Sequence, residues 1–326
     1  MPPITGLEHL ALTRHRNTVV SDDRSLRRAA ARGEMTRLAN GAYVPTAVWS
    51  TLTRTERHRL AAAAAAEMNA SFRATHRTAA AVHGAPLLGR GDGLVHTRVT
   101  MAAGSRTEHG YRKHAVVDID LHMIELEGIA TTNLDRTIID LAMTEQFESA
   151  VVAADWALAH GVTKDTLLAT LDELAPARGR RRAESVVAFA DGASGSVGES
   201  FSRVRIDRCG FPPPLLQARF DDVDGLIGFV DFYWPEFRLI GEFDGFGKYS
   251  DQRYLAGAVP SEIVFSEKIR EDRLRATATG PSVSRWTWGT VHGHGLLERQ
   301  LRSAGLPTYH QKAGGIGSTG RPRTPA

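Results

Sequence analysis

Val230-Asp231-Phe232-Tyr233-Trp234-Pro235-Glu236-Phe237-Arg238-Leu239-Ile240-Gly241-Glu242-Phe243-Asp244-Gly245 reads as two β-favouring runs, residues 229–234 and 237–243, joined where Pro235-Glu236 presets a turn. If the loop is those two residues alone, Asp231 lies opposite Ile240. Side chains alternate along a strand, so Ile240, Glu242 and Asp244 share one face, and Glu242 becomes the diagonal neighbour of Asp231 at roughly 7 Å. A Mg²⁺ ion takes oxygen ligands at about 2.0–2.1 Å and can bridge such a gap. The reading depends on register, because a slip of one residue sends the acids to opposite faces. The same spacing equally describes solvent-facing carboxylates on an amphipathic hairpin.

Around this hairpin the chain has the pattern of a small mixed α/β domain, from residue 198 to 308. A helix carrying Glu199 opens it, a strand near residues 215–220 precedes the hairpin, a charged helix follows over 261–276, and a last strand holds Trp286 and Trp288. In the charged helix, Lys268/Asp272 and Glu271/Arg275 pair at helical spacing while Glu267/Glu271 repel. Trp286 and Trp288 are read as buried core rather than as base-stacking platforms. His292 and His294, two apart, carry no assignment.

The front of the chain is different in kind. Ser21-Asp22-Asp23 caps a helix over 24–32 that Gly33 ends, and Asn40-Gly41 turns a hairpin between residues 35–39 and 42–44. A helix followed by an arginine-bearing hairpin is the layout of a winged helix-turn-helix, with Arg27, Arg28, Arg32 and Arg37 placed to meet phosphates. The alternative is a small structural helix-hairpin. Residues 1–60 hold ten arginines against five acids, and Arg178, Arg180, Arg181 and Arg182 form a second basic cluster.

Thr53-Arg54-Thr55-Glu56 is a capping box opening an alanine-rich helix to about Met68. Strand-like alternation near residues 95–101 and 115–122 and a helical block over 131–174 complete a middle region with no recognisable catalytic motif. His76 and His83, seven apart on one helix face, lack a third ligand and are read as structural. Residues 176–197 read as a linker helix and loop, and 309–326 as a disordered tail.

The 326 residues are long enough for more than one core, with 42% hydrophobic and 24% charged residues and a formal net charge of +3. The single cysteine, Cys209, excludes an intrachain disulfide framework and a cysteine-based zinc site. No apolar stretch has the length of a membrane span, and the first residues lack the pattern of a secretory leader, so a cytoplasmic protein without a membrane partner is expected.

The motifs Gly198-Glu199-Ser200, Val230-Asp231-Phe232, Gly241-Glu242-Phe243-Asp244-Gly245, Glu267-Lys268-Ile269-Arg270-Glu271 and Arg285-Trp286-Thr287-Trp288 resemble, in this order, the very-short-patch-repair (Vsr)-like branch of the PD-(D/E)XK endonucleases. The resemblance implies a restriction-endonuclease-like α/β domain and a Mg²⁺- or Mn²⁺-dependent DNA endonuclease. It makes Glu199 the first-helix acid and Asp231, Glu242 and Asp244 the metal ligands. Lysine normally follows the second acid at the position that Asp244 occupies here, and Lys248 is the substitute cation; Lys268 and Arg270 would contact DNA. Residues 21–45, with Thr75-His76-Arg77-Thr78-Ala79-Ala80-Ala81 and Thr131-Thr132-Asn133-Leu134-Asp135-Arg136, resemble AbiEi-type antitoxins. That likeness implies a DNA-binding module over 1–50, an antitoxin-like α+β region over 51–175, and a cognate toxin or a second copy as further partners. The rival expectation is a non-catalytic transcriptional regulator or antitoxin built on a degenerate nuclease fold.

Overall fold

The computed structural model describes residues 3–15, 18–19, 23–39, 41–174, 178–245, 260–277 and 279–309. The chain divides into two compact units, residues 1–192 and 193–326. Both mix helices with small sheets. Among the described residues, no helix is long and apolar enough to cross a membrane.

In the first unit the order is β1 (Ala11–Leu12), β2 (Arg14–His15), β3 (Thr18–Val19), α1 (Asp23–Ala31), β4 (Met35–Ala39), β5 (Ala42–Pro45) and α2 (Thr46–Thr51). β4 and β5 form the hairpin expected at Gly41, which has φ +86°, and β1 joins it in a three-stranded sheet ordered β1-β5-β4. A Cβ at Gly41 would lie 2.3 Å from Thr13 Oγ1, so space as well as φ demands glycine there. α3 (Arg54–Met68) opens with the capping box: Thr53 accepts from the Glu56 N–H, and Glu56 accepts from the Thr53 N–H.

Next come α4 (His76–His83), β6 (Val95–Thr100), β7 (Arg106–Glu108), β8 (Tyr111–Val116), β9 (Met123–Leu126) and β10 (Ile129–Thr132). The strand expected over 115–122 is instead the end of β8 and a connection to β9, because Asp118 Oδ1 accepts the N–H groups of Asp120 and Leu121 and turns the chain. The helices α5 (Leu134–Thr144), α6 (Phe147–Ala159), α7 (Lys164–Asp172) and α8 (Arg180–Phe189) close the unit. α8, read from sequence as part of a linker, packs on α5, α6 and α7. The front module shares its core with the middle region: Ile4, Val44 and Leu52 lie in one cluster with Leu60, Phe72, Val82, Val95 and Ile129.

The second unit runs α9 (Val197–Arg208), β11 (Leu215–Asp222), β12 (Gly225–Trp234), β13 (Leu239–Asp244), α10 (Pro260–Ala276), β14 (Ser282–Thr287), α11 (Trp288–His292) and α12 (Leu296–Ser303). Its sheet is ordered β11-β12-β13-β14, antiparallel except for the parallel pair β13 and β14. A parallel neighbour requires a crossover, and α10 supplies it. Leu274 of α10 packs with Phe220, Val230 and Ile240, all fully or largely buried.

The Trp286 ring of β14 is 1% exposed, stacks on Phe232 and donates from Nε1 to Oγ of Ser202 on α9 at 2.9 Å. This is the core role read for it from sequence. Trp288 departs from the expected strand. It opens α11 and meets Phe201, Phe243 and His292 ring to ring. Lys248, residues 176–177 at the start of the expected linker, Ser21 and Asp22 of the expected cap, Asn40 of the expected turn and the expected tail from residue 310 onward lie outside the described residues.

Candidate active site of the second unit

The hairpin turn is longer than two residues. Pro235–Phe237 makes a single 3₁₀ turn, Arg238 follows in the left-handed region at φ 44°, and the register becomes Trp234 with Leu239, Tyr233 with Ile240 and Phe232 with Gly241. Ile240 therefore faces Tyr233, not Asp231. A shift of two residues alone would keep the expected shared face. Strand alternation is also interrupted, because Val230 and Tyr233, three apart, pack in the same cluster around Ile240 and Leu274.

The interruption sits at Asp231. On the neighbouring strand, β11 pairs Leu216 with Phe232 and Ala218 with Val230, and between them Gln217 takes φ +46°. A non-glycine residue in that region costs roughly 1–3 kcal/mol and persists only where surrounding contacts impose it. Those contacts are two carboxylates. Gln217 Nε2 donates to Glu199 Oε2 at 2.8 Å and reaches Asp231 Oδ1 at 3.3 Å.

Each acid has a further anchor. Glu199 is only 8% exposed, and its Oε2 accepts from the Gly195 N–H at 2.8 Å. It sits in the first turn of α9, whose N-cap Ser196 accepts from the Glu199 N–H, so the helix dipole favours its charge. Asp231 Oδ2 accepts from the Phe243 N–H of β13 at 2.7 Å. The Phe243 ring in turn lies against Gly198 of α9, where a Cβ would come within 2.0 Å of Cε1. The missing side chain at Gly198 is thus what lets helix, strand and both acids meet.

Glu242 has other partners. Its Oε1 accepts from Arg270 at 2.8 Å and its Oε2 from Arg285 Nε at 2.9 Å. Arg285 continues to Glu271 at 3.0 Å and Glu267 at 3.4 Å, and Arg270 also donates to the Phe229 carbonyl at 2.8 Å. Burial works against the Arg285 charge, yet Glu242, Glu271 and Glu267 together hold its pKa above the ordinary value. Asp244 ends β13, half-buried, in register with Thr287. Of the residues expected to touch DNA, Lys268 is exposed, whereas Arg270 is committed to Glu242.

Arg27, Arg28, Arg32 and Arg37 are all exposed on α1, the turn after it and β4. Arg27 pairs with Asp23 and Arg32 with Glu34, the latter at 2.7 Å. Such exposed pairs contribute little to stability and leave the guanidiniums available for exchange onto a phosphate.

The sequence reading missed Gln217, because no motif marks it; only its left-handed backbone and its two acceptors do. Among the described residues, the acids Glu199, Asp231, Glu242 and Asp244 supply no group of three with ligand atoms all within 4.8 Å of one another. The group that meets this criterion is His76, His96 and His114 in the first unit. No protein-family model matches the chain, and no curated protein matches it in sequence.

Proposed function

We propose that the second unit is a metal-dependent DNA endonuclease domain and that the α1 and β4–β5 helix-hairpin of the first unit is its DNA-targeting element. One observation carries the reading: Glu199 and Asp231, acids from different elements, share the amide of Gln217, whose backbone is strained to reach both. Two carboxylates brought to one donor, with that donor held at a cost, are a site prepared for a cation.

A Mg²⁺ or Mn²⁺ ion needs only one or two carboxylates, since waters and substrate phosphates complete its shell. Glu199 and Asp231 would hold it, with Asp244 at the end of β13 as a further acid, since both oxygens of Glu242 are taken by guanidiniums. When bound, the ion polarises a phosphoryl oxygen and lowers the pKa of an attacking water. Asp231 keeps its orientation through the Phe243 N–H, and Glu199 through Gly195. Glu242 acts as the anchor of Arg270 and Arg285, guanidiniums suited to neutralising a charged phosphoryl group where the superfamily lysine is replaced by Asp244.

A second reading rests on the same ion pairs. With both oxygens of Glu242 taken by guanidiniums, a non-catalytic DNA-binding regulator retains the fold as scaffold. Cleavage of supercoiled and linear DNA with Mg²⁺, Mn²⁺ or EDTA separates the two. Metal-dependent nicking by the intact protein, lost in Asp231→Ala and Glu199→Gln and reduced in Glu242→Gln, supports the nuclease. No cleavage by the intact protein, together with DNA binding that weakens steeply with salt and survives in all three variants, replaces it with the regulator.

A further inference from the structure

We propose that His76, His96 and His114 form a binding site for a divalent transition-metal ion of the Zn²⁺ class in the first unit, distinct in chemistry from the acids of the second. The three rings come from the first residue of α4, from β6 and from β8, and their ligand nitrogens all lie within 4.8 Å of one another. His76 and His96 are 8% and 3% exposed and His114 is half-buried, so the site lies beneath the surface with His114 nearest its opening. His76 itself has φ +49°, in the left-handed region.

The hydrogen bonds decide which nitrogens are free. Asp92 accepts at 3.2 Å from His96 Nε2, so that nitrogen carries the proton and His96 Nδ1 presents its lone pair. That lone pair is 3.1 Å from His114 Nε2. Thr75 Oγ1 spends its own proton on Asp140 Oδ2 at 2.9 Å, so at 3.1 Å it accepts from His76 Nδ1 and leaves Nε2 as the bare nitrogen of His76.

Two of the three imidazoles therefore donate their outer N–H toward a carboxylate, His96 directly and His76 through Thr75. This is the arrangement that fixes tautomer and raises basicity in metal-ligating histidines. The 3.1 Å between His96 Nδ1 and His114 Nε2 is close to the spacing of about 3.3 Å that two nitrogens take on a tetrahedral ion with bonds of about 2.0–2.1 Å. Metal there replaces the shared proton, which moves to His114 Nδ1. His114 stacks on His76 at 3.7 Å between centroids and 13° between planes, so loading also tilts the His114 ring out of that stack.

All three rings are neutral near pH 7. Burial, the largest influence on each, pushes His76 down to about 4, His114 to about 2 and His96 below its ordinary value. The charges around them nearly balance: Asp140 is met by Arg136 at 2.7 Å and Arg98 at 3.8 Å, and Asp92 by Arg112 at 3.3 Å. Without a surplus of negative charge, affinity must come from imidazole nitrogen, which selects Zn²⁺, Cu²⁺, Ni²⁺ or Co²⁺ over Mg²⁺. A fourth position is left for water or an anion, as in three-histidine sites that are not purely structural.

The test uses the full chain, stripped with EDTA and reloaded with Zn²⁺ or Co²⁺. About one equivalent of Zn²⁺ should survive gel filtration in metal-free buffer, and the Co²⁺ form should show the visible bands of four-coordinate nitrogen ligation. His96→Gln and His114→Gln should each weaken binding at least about tenfold, while Asp231→Ala and Glu199→Gln leave it unchanged and excess Mg²⁺ does not compete. Should the histidine variants fail to fold, imidazole ¹H–¹⁵N spectra of the intact protein decide: three of its thirteen histidines should shift on adding Zn²⁺. Intact protein that retains no Zn²⁺, folded variants that retain it undiminished, or imidazole spectra that Zn²⁺ leaves unmoved would each overturn the site.

Discussion

Gln217 offers the sharpest test of the second unit, because its backbone and its side chain make opposite contributions. Its φ of +46° costs an L-residue roughly 1–2 kcal/mol relative to glycine, while its amide supplies a donor to buried Glu199 and to Asp231. Gln217→Ala keeps the strain and removes the donor; Gln217→Gly removes both. Losing the donor leaves Glu199 with the Gly195 N–H and brings two carboxylates together unscreened, a loss of about 1–3 kcal/mol. Gln217→Ala should therefore fall below the parent by about that amount, and Gln217→Gly should recover roughly 1 kcal/mol or more of it.

Urea unfolding followed by tryptophan emission reads the difference, since Trp234, Trp286 and Trp288 of the five tryptophans lie in this unit. Mg²⁺ or Mn²⁺ should raise the stability of Gln217→Ala more than that of the parent, the cation taking over the charge pairing that the amide gave. Equal stability of the alanine and glycine variants would refute the strain argument. Indifference of Gln217→Ala to both ions would refute the paired carboxylates as a cation site.

Gly198→Ala tests the close approach beneath that site. Its Cβ would lie 2.0 Å from Phe243 Cε1, where ordinary contact begins at 3.4 Å. Overpacking of about 1–3 kcal/mol should outweigh a helix-propensity gain of at most about 1 kcal/mol, and DNA cleavage should fall with stability because the Phe243 N–H orients Asp231. An unchanged urea midpoint would contradict it. In the first unit, burial pushes His58 down to about 4, with its Nε2 2.8 Å from Thr78 Oγ1. The unfolded chain then binds a proton that folded His58 refuses, so this contribution is intact above pH 6.5 and is lost as pH falls toward 4. His58→Gln should flatten the acid side of the unit's stability profile by up to about 1.4 kcal/mol per pH unit; a profile with the parent's slope would show that His58 does not titrate this way.

Much of the architecture is legible in the amino-acid order because its causes are local. The Thr53 capping box, the hairpin at Gly41, α9 with Glu199 in its first turn, and the strand-helix-strand order from 215 to 287 each follow from residues within one turn or one strand. Likewise Trp286 was readable as core from its large aromatic side chain on a short strand. What local pattern could not supply was the identity of each side chain's partner. Glu242 reads as a metal ligand by spacing, yet Arg270 and Arg285 reach it from 28 and 43 residues away. Gln217 carries no signature at all until a left-handed φ turns it toward two acids on other elements. His76 looks paired with His83 along its helix, but its ring meets His96 and His114 from two strands, while His83 bonds the Thr132 carbonyl at 2.7 Å. Short-range sterics and capping act between near neighbours and are written in sequence; coordination and charge pairing act between residues that only the folded chain brings together.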